Sequence, residues 1–318
     1  MEVTVLRSGM LTTVQDLGRR GFRAQGVPLS GAMDPFSLRL ANSLVGNPEG
    51  FAALEFTLVG PDLEFSHDAL VALTGVECDG VPRWQPVEVM AGERLTLGPC
   101  KRGCRGYLAI RGGMDVPMVL GSRSTYLRGG WGGLDGRILR AGDKLKIGTV
   151  QVARSRSSAS NLRWQIDPRM LPIYTSEPTV RVICGDGRLR AADELIKTKF
   201  SVSPQSDRMG VRLAGASLTG GMTGDVLSSA VAPGTIQLPP DGQPVILMAD
   251  AQTIGGYPQI AHVISVDLSL VAQLRAGDRV SFAEVTLQDA QRFALERDHS
   301  FALLREGLAE KLGFAAGG

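Results

Sequence analysis

The chain has 318 residues, 43% of them hydrophobic and 21% charged, a balance suited to a globular protein long enough for two domains. Its 34 basic and 32 acidic residues leave a net charge of +2, so no basic field marks nucleic acid or a membrane surface as a partner. No run reaches the roughly 18 apolar residues of a membrane span, and four cysteines in this length do not make a disulfide framework.

Forty glycines and only 5% aromatic residues predict a mainly β, turn-rich architecture of short strands. The opening MEVTVLRSGM lacks the apolar core of a signal peptide, so the expected compartment is the cytoplasm. Asp34 suits an N-cap, Pro35 the first helical position, and Phe36, Leu40 and Leu44 recur at helical spacing before Gly46. Ala69–Thr74 and Tyr107–Ile110 then read as strands. Val152–Asn161 (VARSRSSASN) is Ser/Arg-rich and aperiodic, and is expected to link an N-terminal domain, 1–152, to a C-terminal domain, 162–318. Thr179–Ile183, Pro244–Met248, Ile260–Asp267 and Asp278–Phe282 are the predicted strands of the second half. Thr286 and Asp289 have the spacing of a capping box, opening a helix to about Arg297, with Ser300 capping a second helix. One short pattern occurs three times, at Ala91–Leu95, Ala141–Leu145 and Ala276–Val280, each a Gly-acid turn ahead of an apolar strand. The recurrence predicts that both halves share one kind of β-barrel construction.

Several chemistries have no carrier in this sequence. No P-loop, G-x-S-x-G elbow or G-x-G-x-x-G fingerprint occurs, and no lysine stands in a biotin-carrier context. His67, His262 and His299 are not spaced as metal pairs, and His262 lies within an apolar strand as either a core or a catalytic histidine. Cys100 and Cys104 read as part of a turn rather than half of a zinc site, because no second pair sits nearby.

What remains is a set of polar clusters. Gln15 to Arg20 comes first, then Ser30 to Asp34 at the helix entry, where Asp34 serves either as a cap or as a pocket wall. Gly121 to Thr125 sets Arg123 between hydroxyls, a fork for a carboxylate or phosphate, ahead of the glycine run around Trp131. Ser206 to Gly210 places Asp207 beside Arg208, either as an ion pair holding a turn or as ligand contacts. The loop Asp250–Pro258 joins polar side chains to Gly255, Gly256 and Tyr257, and the glycines are expected to allow positive φ and close backbone approach. These groups suit positioning and polarising a small amide or carboxylate.

In this order the clusters resemble a known family. The matching stretches are VQDLGR (14–19), GVPLSGAMD (26–34), ANSLVGN (41–47), RGYLA (105–109), LGSRST (120–125), SDRMG (206–210), GTIQ (234–237), DGQP (241–244) and ADAQTIGGYP (249–258). They are similar to the biotin-dependent carboxyltransferase family, also called allophanate hydrolase subunit 2, which includes KipA-like proteins. The resemblance implies two cyclophilin-like β-barrel domains. It also implies a role as the C subunit of a heteromeric ATP-dependent 5-oxoprolinase, converting 5-oxoproline to glutamate. The implied partners are a subunit-1-type (KipI-like) protein and a LamB/YcsF-type protein, with ATP and Mg²⁺ acting at the level of the complex. Two alternatives stand beside it. One is carboxyl transfer from carboxybiotin on a partner protein to urea or a similar amide; the other is regulatory binding of a KipI-like kinase inhibitor. Cys184–Gly185–Asp186–Gly187 departs from the Gly-Pro that many relatives have there.

Residue chemistry within these motifs names Asp207, Arg208, Asp250, Gln252 and Tyr257 as the catalytic candidates. Gln15, Arg19, Ser30, Asp34, Ser122, Arg123, Thr253, Gly255 and Gly256 are the substrate-binding candidates. Arg123, Arg208, Gln252 and Tyr257 are expected to touch substrate or phosphate, with Asp207 and Asp250 orienting them.

Overall fold

The computed structural model describes residues 1–149, 166–185, 190–219 and 227–312. The expected linker Val152–Asn161 and the Asp186–Gly187 part of the divergent turn lie outside the described residues.

The chain forms two compact units, and their bounds are not linear in sequence. The first comprises Met1–Arg19, Asp34–Pro172 and His299–Gly318; the second comprises Arg20–Met33 and Ile173–Asp298. An early segment thus joins the second unit and the end of the last helix joins the first, which the linear 1–152 and 162–318 division does not contain.

In the first unit the strands are β1 (Glu2–Arg7), β2 (Leu11–Gln15), β3 (Ala53–Thr57), β4 (Asp62–Phe65), β5 (Ala69–Thr74) and β6 (Glu77–Cys78). They continue with β7 (Pro86–Val89), β8 (Arg94–Thr96), β9 (Cys100–Arg102), β10 (Arg105–Ile110) and β11 (Lys144–Lys146). A four-stranded sheet, β11-β1-β4-β8, and a five-stranded sheet, β2-β3-β10-β5-β7, enclose one apolar core. Strand alternation explains the division of β3: Leu54 and Phe56 enter that core, while Glu55 faces the other way. Each such buried aliphatic or aromatic side chain contributes about 1.5–3 kcal/mol. Gly106 on β10 is required by this packing, since a Cβ there would lie 2.2 Å from the Phe56 ring.

Helix α1 (Pro35–Leu44) covers the outer face of the five-stranded sheet. It starts as the sequence predicts, with Pro35 in its first turn and the Asp34 carboxylate accepting the Ser37 N–H at 3.1 Å. Both faces of β10 are consequently covered, and every residue of that strand is buried.

The second unit is built from β12 (Thr179–Ile183), β13 (Phe200–Val202), β14 (Gly210–Ala214), β15 (Ser229–Ala230) and β16 (Thr235–Gln237). Its remaining strands are β17 (Val245–Leu247), β18 (Ile254–Gly255), β19 (Gln259–Val263) and β20 (Arg279–Glu284). Seven of these close a barrel in the order β12-β19-β16-β17-β14-β13-β20, sealed by the parallel pairing of β12 with β20. Val180, Val182, Phe200, Val211, Ile236, Ile246, Val263 and Phe282 fill it. The mainly β reading therefore holds in both units; the second closes as a barrel, whereas the first has two larger sheets over a shared core and a separate β6–β9 ladder. The chain also carries helices α2 (Arg190–Lys197), α3 (Leu268–Ala272) and α4 (Leu287–Leu312). Among the described residues no helix is long and apolar enough to cross a membrane.

The three copies of the Gly-acid pattern are one device. Gly92, Gly142 and Gly277 have φ of 79°, 90° and 88°, and each donates its N–H to a carbonyl of a neighbouring strand, at Phe65, Val5 and Val202. The acid that follows reaches back to a backbone N–H three residues earlier, Glu93 to Met90, Asp143 to Arg140 and Asp278 to Arg275. The turns feed β8 and β11, the two edges of the four-stranded sheet, and barrel strand β20.

Two expectations need correction. The strand predicted over Ile260–Asp267 ends at Val263, and Ser265–Asp267 is a 3-10 turn leading into α3. Asp267 leaves the strand because its carboxylate is held by Arg181, at 2.6 Å from one guanidinium nitrogen and 2.7 Å from the Arg181 backbone N–H. The two predicted C-terminal helices are one. The capping box forms, with Thr286 Oγ1 accepting the Asp289 N–H at 3.1 Å, but α4 runs on through Ser300. Phe301 is buried beside Phe36 at 5.9 Å with Arg39 stacked on it at 4.3 Å, and that packing overrides the capping preference of Ser300.

Candidate functional site

In the first unit, the end of β2 meets the Ser122–Thr125 turn around Asp16. The Asp16 carboxylate accepts from Ser122 Oγ at 2.6 Å, Ser124 Oγ at 2.6 Å, the Gly18 N–H at 2.8 Å and the Arg123 N–H at 2.6 Å. Arg19 is fully buried; it donates to the Ser124 and Val119 carbonyls and stacks on Trp131 at 4.2 Å. Gly132 and Gly133 have positive φ, and a Cβ on either would strike Ser124 or Thr125. The glycine run is thus what lets Trp131 close over Arg19. Gln15 donates to the Thr125 carbonyl at 3.1 Å and to Thr13 at 3.0 Å, while its Oε1 is buried with no donor among the described residues.

The structure brings together Gln15 and Arg19 from one sequence cluster with Ser122 and Arg123 from another, and Asp16, which was not named as a site candidate, bonds Ser122 and the Arg123 N–H. Arg123 turns its side chain to the Val116 carbonyl at 3.0 Å and to Asp115 at 3.4 Å. Asp34 is fully buried and its carboxylate serves Ser37 through both oxygens, the capping alternative. Behind it lies a second missed group: the Asp34 N–H donates to Tyr107 Oη at 2.8 Å, and that hydroxyl donates to Glu55 at 2.7 Å. Burial first, then the Glu55 and Asp34 charges, hold the Tyr107 phenol well above its ordinary value. It remains a donor throughout the neutral range. The signal was available in the alternation: Thr13, Glu55, Tyr107 and Thr74 stand opposite one another across the sheet, facing α1.

In the second unit Arg208 and Asp250 form a buried bidentate pair, at 2.9 and 3.1 Å. Arg208 also donates to the Gly31 carbonyl, and the Ser30 N–H donates to the Ala249 carbonyl at 2.9 Å. Ser30 is held at φ 42°, a conformation costly for a residue with a Cβ. The structure thus brings together Ser30, Arg208 and Asp250. Asp207 does not pair with its neighbour. It is exposed and accepts the Met209 and Gly210 N–H groups at 2.8 and 3.1 Å, an Asx turn, so of the two alternatives the Asp207–Arg208 ion pair does not form and Arg208 pairs with Asp250 instead.

Beyond Asp250 the chain turns outward. Thr253 is buried and its carbonyl accepts the Val231 N–H at 3.1 Å, whereas Gln252 and Gly256 are exposed and Tyr257 is 48% exposed. Gly255 pairs with Ser229 in a two-stranded ladder and has no positive φ. Its need for glycine is steric, because a Cβ would lie 2.4 Å from Gln237 Nε2. Gln237 was missed as a site residue, yet it ties Gln252 to the Tyr257 carbonyl, at 3.3 and 3.4 Å. Two residues earlier on β16, Thr235 Oγ1 accepts the Ala232 N–H at 3.1 Å and lies 3.3 Å from His262 Nδ1. Burial pushes His262 below its ordinary value, so it is neutral at pH 7. None of the four cysteines forms a disulfide, and among the described residues no three His, Cys, Asp or Glu side chains gather as a metal site.

Chemically, the second-unit loop offers an amide, a phenol and open backbone, all uncharged, above a rigid ion pair. Hydrogen bonding to a small neutral amide is what such a surface can do.

Comparison with known proteins places the chain in a family. Residues 25–284 match the family model described as carboxyltransferase domain, subdomain A and B. The chain is 39% identical to the C subunit of 5-oxoprolinase from Escherichia coli (strain K12), over 94% of this chain and 96% of the relative. It is 37% identical to the C subunit of 5-oxoprolinase from Haemophilus influenzae, over 94% of this chain and 96% of the relative. The crystal structure of the Kluyveromyces lactis urea amidolyase superposes with a TM-score of 0.83 at 34% identity, covering 94% of this chain and 20% of that one. The chain belongs to the family of carboxyltransferase domains, subdomains A and B.

Proposed function

We propose that this protein is the C subunit of a heteromeric 5-oxoprolinase, a complex that opens the lactam of 5-oxo-L-proline to give L-glutamate with hydrolysis of ATP. One observation carries the reading. The two 5-oxoprolinase components match over nearly their whole length as well as nearly all of this chain, whereas the chain spans 18% of the urea amidolyase of Lachancea kluyveri at 35% identity. The relatives matched from nearly end to end are also those of higher identity, 39% and 37%, and they guide the reading.

Within that reading Gln252 and Tyr257 contact the lactam, and Arg208 and Asp250 hold the base of their loop. ATP and Mg²⁺ act at the level of the complex. This sequence has no phosphate-binding glycine loop, and its described residues bring no three acidic, His or Cys side chains together for a metal. The partners are a KipI-like subunit-1-type protein and a LamB/YcsF-type protein, with the cytoplasm as the site of action.

Carboxyl transfer from carboxybiotin to urea or another amide is the second reading, favoured by the family model and by the 0.83 superposition on urea amidolyase. The deciding experiment measures glutamate released from 5-oxoproline and Mg-ATP by this protein alone, by its partners alone, and by the complete mixture. Glutamate in the complete mixture only is the expected result. A stable complex that releases none rejects the oxoprolinase reading and directs the assay to carboxybiotin and urea.

A further inference from the structure

The amide groups under the second-unit loop have a fixed direction. Gln237 closes β16; its neighbour Ile236 enters the barrel core, so the Gln237 side chain stands on the outer face, where it is 2% exposed. Its Nε2 donates to the Tyr257 carbonyl at 3.4 Å. A backbone carbonyl only accepts, so this contact decides which end of the Gln237 amide is nitrogen. The oxygen end, Oε1, then accepts from Gln252 Nε2 at 3.3 Å. Gln252 gives its nitrogen inward and carries its own Oε1 on the exposed side, where it meets no donor among the described residues. Gly255 leaves room for the arrangement, since any Cβ there would lie 2.4 Å from Gln237 Nε2.

We propose that Gln237 is a positioning residue that sets the polarity of Gln252, so that the loop presents a carbonyl acceptor to the N–H of a lactam or amide. The proposal rests on the oxoprolinase reading and deepens it by naming the atom of the substrate that is recognised. An N–H at that point completes a chain of three hydrogen bonds running from ligand to Gln252 to Gln237 to the Tyr257 carbonyl. A ring oxygen at the same point sets lone pair against lone pair. Both bonds in the protein are at the long end of the hydrogen-bond range, leaving room to tighten when a ligand completes the chain.

The test uses the complex of this chain with its partner proteins, and compares 5-oxoproline with its lactone, in which oxygen replaces the ring N–H. The wild-type complex is expected to bind the lactam roughly tenfold more tightly than the lactone, the scale of one hydrogen bond to an otherwise unmatched acceptor. In Gln237→Met that preference falls to near unity, because Gln252 is free to rotate and offer its nitrogen instead. The KM for 5-oxoproline rises while kcat moves less. The Gln252 side-chain amide, followed by nitrogen NMR, loses its protection from hydrogen exchange. Gln237→Glu supplies an independent reading. Its carboxylate lacks the donor to the Tyr257 carbonyl but still accepts from Gln252 Nε2, so the lactam preference is expected to survive in this variant while it is lost in Gln237→Met.

A wild-type complex that does not prefer the lactam, or a folded Gln237→Met variant that keeps the preference, overturns the proposal. So does loss of the preference in a folded Gln237→Glu variant, which keeps the acceptor for Gln252. Loss of glutamate release with the preference intact rejects only the oxoprolinase reading and leaves the acceptor assignment standing.

Discussion

The Asp16 cluster of the first unit and the Gln252–Tyr257 loop of the second are both polar, both glycine-rich and both conspicuous in the sequence. They differ in where their hydrogen-bonding capacity goes. Asp16 accepts four bonds from its own chain, and Ser122, Ser124 and Thr125 around it are fully buried. Gln252 and Tyr257 are exposed, and each keeps a polar atom directed outward from a buried support at Asp250 and Gln237. Polar residue types alone do not separate a scaffold from a ligand surface. The separation comes from whether the chain itself completes the hydrogen bonds.

The support under the loop is where the comparison predicts the largest single effect. Arg208→Ala leaves the buried Asp250 carboxylate without its bidentate partner and releases the Gly31 carbonyl, at an expected cost of about 3–5 kcal/mol in denaturant unfolding. Arg208→Lys restores only part of this, because an ammonium does not match the carboxylate fork. An unchanged unfolding midpoint would mean that Arg208 belongs with the exposed groups, and the contrast between scaffold and loop would fail. In the first unit Asp16→Asn keeps the shape but removes the charge that four donors address, a loss of about 2–3 kcal/mol. Its readout is thermal unfolding together with faster hydrogen exchange at the Arg123 N–H.

The exposed side of the comparison makes the opposite prediction. Tyr257→Phe and Gln252→Ala are each expected to leave stability within about 0.5 kcal/mol of wild type. Turnover of 5-oxoproline by the reconstituted complex should fall about tenfold in each. A variant that loses stability and turnover together would place the residue with the scaffold.

The local pieces of this structure were legible because their causes are local. Asp34 and Pro35 start α1, Ala69–Thr74 and Thr179–Ile183 are strands over their full predicted length, and the Gly-acid turns recur as one hydrogen-bonded form. What the sequence concealed depends on partners far along the chain. Arg208 lies beside Asp207 in sequence but pairs with Asp250, 42 residues away. Tyr107 meets Glu55 across a strand pair, and Phe301 carries α4 through a serine that would otherwise begin a helix. Gly255 differs from expectation: its φ is not positive, and what a Cβ there would meet is the Gln237 side-chain amide. Gln237 itself was visible only as part of a motif, since a glutamine at the end of a three-residue strand carries no periodic signal of its own.

The smallest effect concerns a carboxylate that belongs wholly to the scaffold. Asp62 on β4 is buried between Arg7, at 2.8 Å, and Arg94, at 2.5 Å. The hydrogen bond from Arg7 is the largest influence and outweighs burial, with Arg94 adding to it, so the carboxyl is held below its ordinary value. A carboxylate with a lowered folded pKa stabilises fully above its unfolded value, about 4. That stability is lost as pH falls through the lower folded value, because the unfolded chain then takes up the proton first. Both arginines are about half exposed, so solvent and salt limit the contribution to about 1 kcal/mol. Asp62→Asn should therefore lower the unfolding midpoint slightly at pH 7 and bring the variant level with wild type as pH falls toward 3. A difference between the two proteins that stays constant from pH 7 to pH 3 would mean that the Asp62 charge contributes nothing and that only its shape is used.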